Sequence, residues 1–164
     1  MSKRFASCHA VALIATLASV ALAGCGVPDE DNIEVSVSVT DVQLSLSAAT
    51  LGQQLAGTFS LTAILGELAQ QDSTVRWEKF ALTRASSNEE LLALPIAASV
   101  APSISVPKGS TQKLPVQLEP KLVDASVVIH LCGGEVRVAA TAVDSATGNV
   151  KPAYSEPFVL AGCP

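Results

Sequence analysis

The residues with the clearest chemistry are the four in the stretch Leu22-Ala23-Gly24-Cys25. The thiol of Cys25 can be alkylated, and the small residues before it suit the narrow site of a peptidase. The stretch follows Lys3, Arg4 and an apolar run at positions 11–21, which is too short for a comfortable membrane span. Two cations, a short apolar run and small residues before a cut are typical of an export signal. The sequence therefore predicts cleavage before Cys25 and modification of its thiol.

This stretch resembles the lipobox of bacterial lipoproteins. The resemblance implies that residues 1–24 are a cleaved signal peptide and that Leu22, Ala23 and Gly24 are recognised by the signal peptidase. It also implies a covalent diacylglycerol and an N-acyl chain such as palmitate on Cys25, with ~0.8 kcal/mol of membrane affinity from each buried methylene. In Gram-negative families of this kind an aspartate after the cysteine favours the inner membrane. Gly26 stands there instead, which implies the outer membrane. The alternative is an ordinary secretory cut that leaves Cys25 as a plain cysteine.

Two further cysteines, Cys132 and Cys163, remain in the mature chain after Cys8 is lost with the signal. In an oxidising compartment a pair of cysteines usually forms a disulfide. Cys132 precedes a predicted strand by a few residues, and Cys163 follows the next predicted strand by a similar margin. We therefore expect a Cys132–Cys163 disulfide that closes the open end of an antiparallel hairpin and holds the C-terminus.

The 140 residues that follow the signal are enough for one domain with a real core. The whole chain has 10 Lys and Arg residues, of which Lys3 and Arg4 leave with the signal, so eight cations face 15 acids in the mature part. This balance excludes nucleic acid as a partner, because binding it needs a cationic surface. It also excludes electrostatic docking on anionic lipids, since the chain has no basic cluster.

The rest of the chain has few groups of side chains that could act together as nucleophile and base or as metal ligands, so we predict neither an enzyme nor a metal or cofactor site. His130 has no nucleophile motif beside it, and with Cys132 it would supply only two zinc ligands. Glu89-Glu90 is expected on a solvated turn, and the acidic run at 29–31 lacks the spacing of a calcium loop. Sugar binding would need exposed aromatic rings. Trp77, Phe80 and Tyr154 are the available candidates, with Trp77 expected in the core.

We predict that residues 25–32 are the lipidated cysteine with a short acidic tether and that residues 33–164 form one β-domain. Apolar and polar residues alternate with a period of two, the pattern of strands with one wet face. The phase changes at Asp41 and at Glu78-Lys79, which predicts β-bulges. Pro115 lies out of phase with its apolar neighbours and predicts an edge strand. The predicted strands are 33–40 with 42–47, 57–65, 74–83, 103–107, 111–118, 135–143 and a last one through 155–160.

Two stretches leave alternatives open. Residues 86–94 contain a capping-box pattern that would allow one or two helical turns, and the alternative is a loop followed by a strand at 91–96. At 120–131, Pro120 and Gly133 could flank a helix, whereas the β-branched run at 127–129 favours a strand.

Seven or eight short strands with turns between them predict an all-β antiparallel sandwich, with at most one or two helical turns. Trp77 and the C-terminal hairpin make the domain similar to immunoglobulin-like or fibronectin type III-like sandwiches. The predicted function is that of a lipid-anchored outer-membrane lipoprotein, a non-catalytic interaction or assembly subunit of an envelope complex with protein partners and no nucleic acid. The alternative is a module that binds a small ligand or a cell-wall glycan at the membrane surface.

Overall fold

The computed structural model describes residues 33–96 and 103–164, which contain eight strands and one short helix. Residues 1–32, for which a signal, a lipobox and an acidic tether were predicted, lie outside these ranges. The strands are β1 (Ser36–Ala49), β2 (Gly52–Leu65), β3 (Ser73–Arg84), β4 (Glu90–Ala93), β5 (Ser103–Val106), β6 (Ser110–Val123), β7 (Val136–Asp144) and β8 (Val150–Tyr154), and the helix is α1 (Ala125–Cys132).

The strands form two antiparallel sheets. One has the order β1-β2-β6, and the other has the order β4-β3-β7-β8 with β5 also paired to β3. If β1, β2 and β3 are lettered A, B and C, then β6, β7 and β8 take the places of E, F and G in an immunoglobulin-like sandwich. The prediction of an all-β antiparallel sandwich with about eight strands and little helix is confirmed.

The core lies between the two sheets and follows the predicted alternation. Val136, Val138, Ala140 and Ala142 are all buried along β7. Phe59 and Leu61 come from β2 of the facing sheet, and Trp77 and Leu82 come from β3 beside β7, each at most 3% exposed. Burial of apolar surface at about 25 cal/mol per Å² makes this interface the main source of stability.

Both predicted bulges are present. The β1–β2 register shifts between Thr40 and Gln43, and the β3–β7 register shifts between Glu78 and Phe80. Asp41 and Lys79, the residues inside the two bulges, have positive φ angles of 52° and 20°. A third shift, at Gly57, was not predicted.

Gly57 lies in β2 between the bulges of the two neighbouring strands, β1 and β6. Its φ angle is 141°, and a Cβ there would lie 2.0 Å from the carbonyl oxygen of Gln43. Only glycine can occupy this place, because a side chain would collide with the backbone of β1.

The two open stretches are now decided. Residues 86–94 form a turn followed by β4, so the helical alternative is wrong there. At 120–131 the strand β6 continues to Val123, and α1 begins after Asp124. Each alternative therefore holds for part of the stretch, although the β-branched run at 127–129 that favoured a strand lies in the helix, where Val128 is buried.

The last strand was placed too late in the chain. β8 ends at Tyr154, because the hydroxyl of Ser155 accepts the bond from the Val138 amide at 2.9 Å in place of a backbone carbonyl. Pro157 follows and has no amide hydrogen to continue a ladder. Beyond it Phe158 makes a single bridge to Val136, and Ala161 makes one to Ser45.

The sandwich has two ends with different contents. The N-terminal end holds Ile33, where the described chain begins, with the loop 66–72 and the turn 145–149. The disulfide end holds the β1–β2 turn, α1 and the C-terminal segment 155–164.

Candidate functional site

The residues predicted to carry the lipid lie outside the described residues. These are Leu22, Ala23, Gly24 and Cys25, together with the acidic run at 29–31. None of the helices in the described part of the chain is long and apolar enough to cross a membrane. Lipidation therefore stays a prediction from the sequence.

Cys132 and Cys163 are joined, as the spacing predicted. Their Sγ atoms are 2.03 Å apart and their Cα atoms 5.7 Å apart. Cys132 is the last residue of α1, so the bond ties the helix to the C-terminus. This placement also agrees with the expected position at the open end of the β7–β8 hairpin.

The disulfide holds the C-terminal segment across both sheets. Phe158 exchanges two backbone hydrogen bonds of 2.9 Å with Val136 of β7. Three residues further on, the carbonyl of Ala161 accepts a 2.8 Å bond from the Leu46 amide of β1. Gly162 allows this approach, because a Cβ there would lie 1.9 Å from the Leu46 carbonyl oxygen. The segment thus covers part of the edge of β1, which would otherwise present unpaired backbone groups.

The other predicted polar candidates are not brought together. His130 is exposed on α1, and Cys132 beside it belongs to the disulfide. Glu89 pairs with Arg84 at 3.3 Å on an exposed turn, and Glu90 is exposed. Among the described residues no group of three or more potential metal ligands is present.

The aromatic candidates for sugar binding are largely occupied. Trp77 is 3% exposed and lies in the core, as predicted. Phe80 is half-buried and packs on Phe59 with ring centroids 6.0 Å apart. Tyr154 is 38% exposed, but the Arg137 guanidinium lies 5.5 Å from its ring centroid. One face of the most exposed ring of the three therefore already carries a cation.

A cavity of about 330 Å³ at the disulfide end contains two arginines that the sequence did not single out. Arg137 donates a hydrogen bond from Nη2 to the carbonyl of Ala85, and Arg84 is held by Glu89. Both guanidinium groups thus fasten the turn after β3 to its neighbours. The lining is Arg84, Ala85, Ser86, Gly133, Gly134, Glu135, Arg137 and Pro157.

At the N-terminal end Lys151 fixes the point where the chain enters the sandwich. Its Nζ donates to Glu34 Oε2 at 2.7 Å and to the Val35 carbonyl at 2.8 Å. Asn149 adds a longer contact of 3.4 Å to Glu34 Oε1. The Lys151 side chain is 24% exposed, so this ion pair is better shielded from water than a surface pair.

Asp144 organises the turn beside this point. The carboxylate is almost fully buried and accepts bonds from the Ser73 hydroxyl, from the Ala146 amide at 2.9 Å and from the Thr147 hydroxyl at 3.0 Å. Burial by itself raises the pKa of Asp144, yet these hydrogen bonds, with a weaker attraction to Lys151, outweigh it and leave the pKa below its ordinary value. The sequence did not predict that Asp144 would be buried.

A second cavity, of about 340 Å³, opens at the N-terminal end. Two large apolar side chains on its rim face water: Ile33 is 67% exposed and Leu68 is 61% exposed. The complete lining is Ile33, Glu34, Leu65, Leu68, Gln70, Gln71, Ser73, Asp144, Ala146 and Thr147. No sequence pattern pointed to Leu68, because its exposure depends on the path of the loop 66–72.

Comparison with known proteins identifies no family. No protein-family model matches the chain. No curated protein matches it significantly. Among solved structures, it is similar to the X-ray structure of Northeast Structural Genomics Consortium target SoR45, with 16% identity and a TM-score of 0.42 over 78% of this chain and 85% of that chain.

Proposed function

We propose that the protein is a lipid-anchored lipoprotein of the outer membrane and that its β-sandwich is a non-catalytic interaction subunit of a cell-envelope complex. The stretch Leu22-Ala23-Gly24-Cys25 supports the anchor. The Cys132–Cys163 disulfide agrees with an oxidising compartment outside the cytoplasm.

The observation that carries the proposal is the fixed root of the tether. Lys151 clamps Glu34 and Val35, so the chain enters the sandwich at a defined place. Seven residues, 26–32, separate Cys25 from Ile33. At the maximal ~3.3–3.6 Å per residue they span about 25 Å. An acylated Cys25 would therefore hold the domain next to the bilayer with its disulfide end pointing away.

The edge of β6 is the surface we assign to a protein partner. Ile96 bridges Leu118, and the Glu119 amide donates to the Pro95 carbonyl at 3.1 Å, so the second half of this edge is covered. The first half, residues 110–117, has no strand on that side among the described residues. An extended segment of a partner could pair there by strand addition. Pro115 lies in this half, as expected for an edge strand, and it limits unwanted sheet growth.

The anchor is tested by labelling cells with a fatty acid and comparing two serine variants. Cys25→Ser removes the acceptor thiol, so we expect no label on the protein. Cys8→Ser is the matched control, because it changes a cysteine of the signal and should leave labelling intact. Wild-type labelling of the C25S protein would contradict the assignment of Cys25.

The partner is tested by photo-crosslinking in intact cells. A photoreactive residue at the exposed position Gln117 on β6 is expected to capture an envelope protein. The same residue at the exposed position Gln43 on β1 serves as the control for nonspecific capture. If Gln117 yields only monomer under conditions that trap known envelope assemblies, the interaction role is wrong.

A glycan-binding role has less support from the geometry. It would need exposed aromatic platforms, and Trp77 is buried while Arg137 covers one face of Tyr154. The interaction role is therefore the function we retain.

A further inference from the structure

We propose that the N-terminal end of the sandwich rests on the bilayer itself, with Leu68 and Ile33 inserted among uncharged lipids. This inference rests on the proposed anchor at Cys25 and adds to it a second, non-covalent contact. The two side chains line the same cavity, so they lie near each other at this end of the sandwich. Large apolar side chains that face water together mark interaction sites.

The loop that carries Leu68 is held rigidly. The Ala69 amide donates to the Gly66 carbonyl at 3.3 Å, and Ala69 is 3% exposed. The Gly109 amide donates to the same carbonyl at 3.3 Å. Leu68 lies between this closed turn and a buried alanine and faces outward. Because the loop is already ordered, a contact at Leu68 costs little conformational entropy.

The position of this surface selects the bilayer as its occupant. Ile33 lies only eight residues after Cys25. The apolar rim and the chain's point of attachment are thus at the same end of the sandwich. An acylated Cys25 would keep that end within about 25 Å of the lipid surface at full extension, and closer for any shorter path. A bilayer is the one apolar partner that the anchor would place there permanently.

The charges at the N-terminal end of the sandwich favour contact with lipids that have no net charge. Glu34 is neutralised by Lys151, and Asp144 is buried in its hydrogen bonds. Gln70 and Gln71 on the cavity rim carry no charge. The charged groups of the N-terminal end are Glu34, Glu67, Asp72, Lys108, Asp144 and Lys151, with four acids against two cations. Anionic headgroups would therefore be repelled, and the contact depends on apolar insertion.

The contact is tested by placing a tryptophan on the surface. The mature protein, acylated at Cys25, is reconstituted into phosphatidylethanolamine and phosphatidylcholine vesicles whose acyl chains are brominated. We expect the emission of the Leu68→Trp variant to be quenched. Leu51→Trp, at an 84% exposed position of the disulfide end, is the matched control and should keep its emission. Trp77 is buried in every variant, and the wild type supplies its baseline.

Flotation with the vesicles separates the two possible failures. If the protein floats but L68W is no more quenched than L51W, the bilayer contact is overturned while the anchor stands. If the protein does not float, the anchor at Cys25 is wrong. Cys25 is then coupled to a maleimide lipid, and the same two emissions decide the bilayer contact. If L68W fails to fold, quenching of the Ile33→Trp variant decides the same question. If position 68 is protected from solvent only when a protein is crosslinked to this end, the surface belongs to that protein and not to the bilayer.

Discussion

Different kinds of contact stabilise the two ends of the sandwich. At the disulfide end a covalent bond and backbone bridges fasten the C-terminal segment to both sheets. At the N-terminal end the fastening is ionic and hydrogen-bonded, through Lys151 and Asp144. The covalent end should respond to reduction, and the ionic end to pH and to salt. The difference fits an end that closes the fold and an end that fixes where the described chain enters it.

The largest effect is expected at the disulfide end. Replacing both cysteines, C132S/C163S, opens a loop of 31 residues, and the chain-entropy model gives a loss of about 3–4 kcal/mol in the free energy of unfolding. Guanidinium denaturation measures this loss. Hydrogen exchange should also speed up at the Leu46 and Val136 amides but not at the Ala146 amide. Equal acceleration at both ends would show that the two ends are not separate.

A smaller loss is expected from Asp144→Asn at the N-terminal end. The amide has one acceptor oxygen where the carboxylate has two, so a buried hydrogen bond to a charged group is lost at a cost of about 1–3 kcal/mol. Denaturation at neutral pH measures it. Asp41→Asn is the matched control. The ion pair of Asp41 with Lys113 is exposed to solvent, so this variant should lose less free energy of unfolding. An equal loss in both variants would contradict the importance of burial at Asp144.

Asp144 also gives the N-terminal end a dependence on pH. Its pKa is lowered from the ordinary value of 3.8 by hydrogen bonds that outweigh burial. The stabilisation is therefore present in full above the unfolded value and is lost as the pH falls through the lower folded value. We expect the wild type to lose stability below about pH 4, and the D144N variant to lose less over the same range. Parallel curves for the two proteins would exclude Asp144 as the group responsible.

Lys151→Met is expected to cost about 1 kcal/mol, since it removes a partly shielded ion pair and a bond to the Val35 carbonyl. The loss should shrink in high salt, which screens the ionic part. Lys113→Met, whose pair with Asp41 is exposed on both sides, should change little. A salt-independent loss in K151M would show that packing of the lysine stem, and not its charge, holds Glu34 and Val35 in place.

The smallest effect on stability is expected for Leu68→Ser. Leu68 is 61% exposed, so its replacement should change the free energy of unfolding by less than about 0.5 kcal/mol. The same variant should nevertheless weaken the contact of the N-terminal end with uncharged vesicles. Leu51→Ser tests the comparison, because it removes a leucine that is 84% exposed at the other end and should leave that contact unchanged. A large loss of stability in L68S would mean that Leu68 serves the fold.

Local patterns were sufficient for much of the fold. The alternation along β7 and the phase changes at Asp41 and Lys79 each report on a few neighbouring residues, so strands and bulges could be predicted from them. Pro115 likewise marks an edge strand by its missing amide hydrogen. The errors came where a distant contact decided the outcome. Ser155 ends β8 because its hydroxyl meets the Val138 amide, and this contact spans 17 residues.

The candidate sites divide in the same way. The cysteine pair could be predicted because an oxidising compartment and two predicted strands constrain it. Leu68, Asp144 and the pair Arg84 and Arg137 could not be found from the sequence. Their exposure or burial depends on loops and sheets that meet only in the folded chain.

By itself the sequence determined the β-class of the domain, its alternating core, its two predicted bulges and the pairing of Cys132 with Cys163. These depend on side-chain periodicity and on covalent chemistry, which are properties of short stretches and of residue type. Only the tertiary structure decided which end of the sandwich holds Ile33, that Lys151 clamps Glu34, and that Leu68 and Ile33 line the same cavity. Such features arise because packing brings together residues more than a hundred positions apart, as in the contact of Lys151 with Glu34.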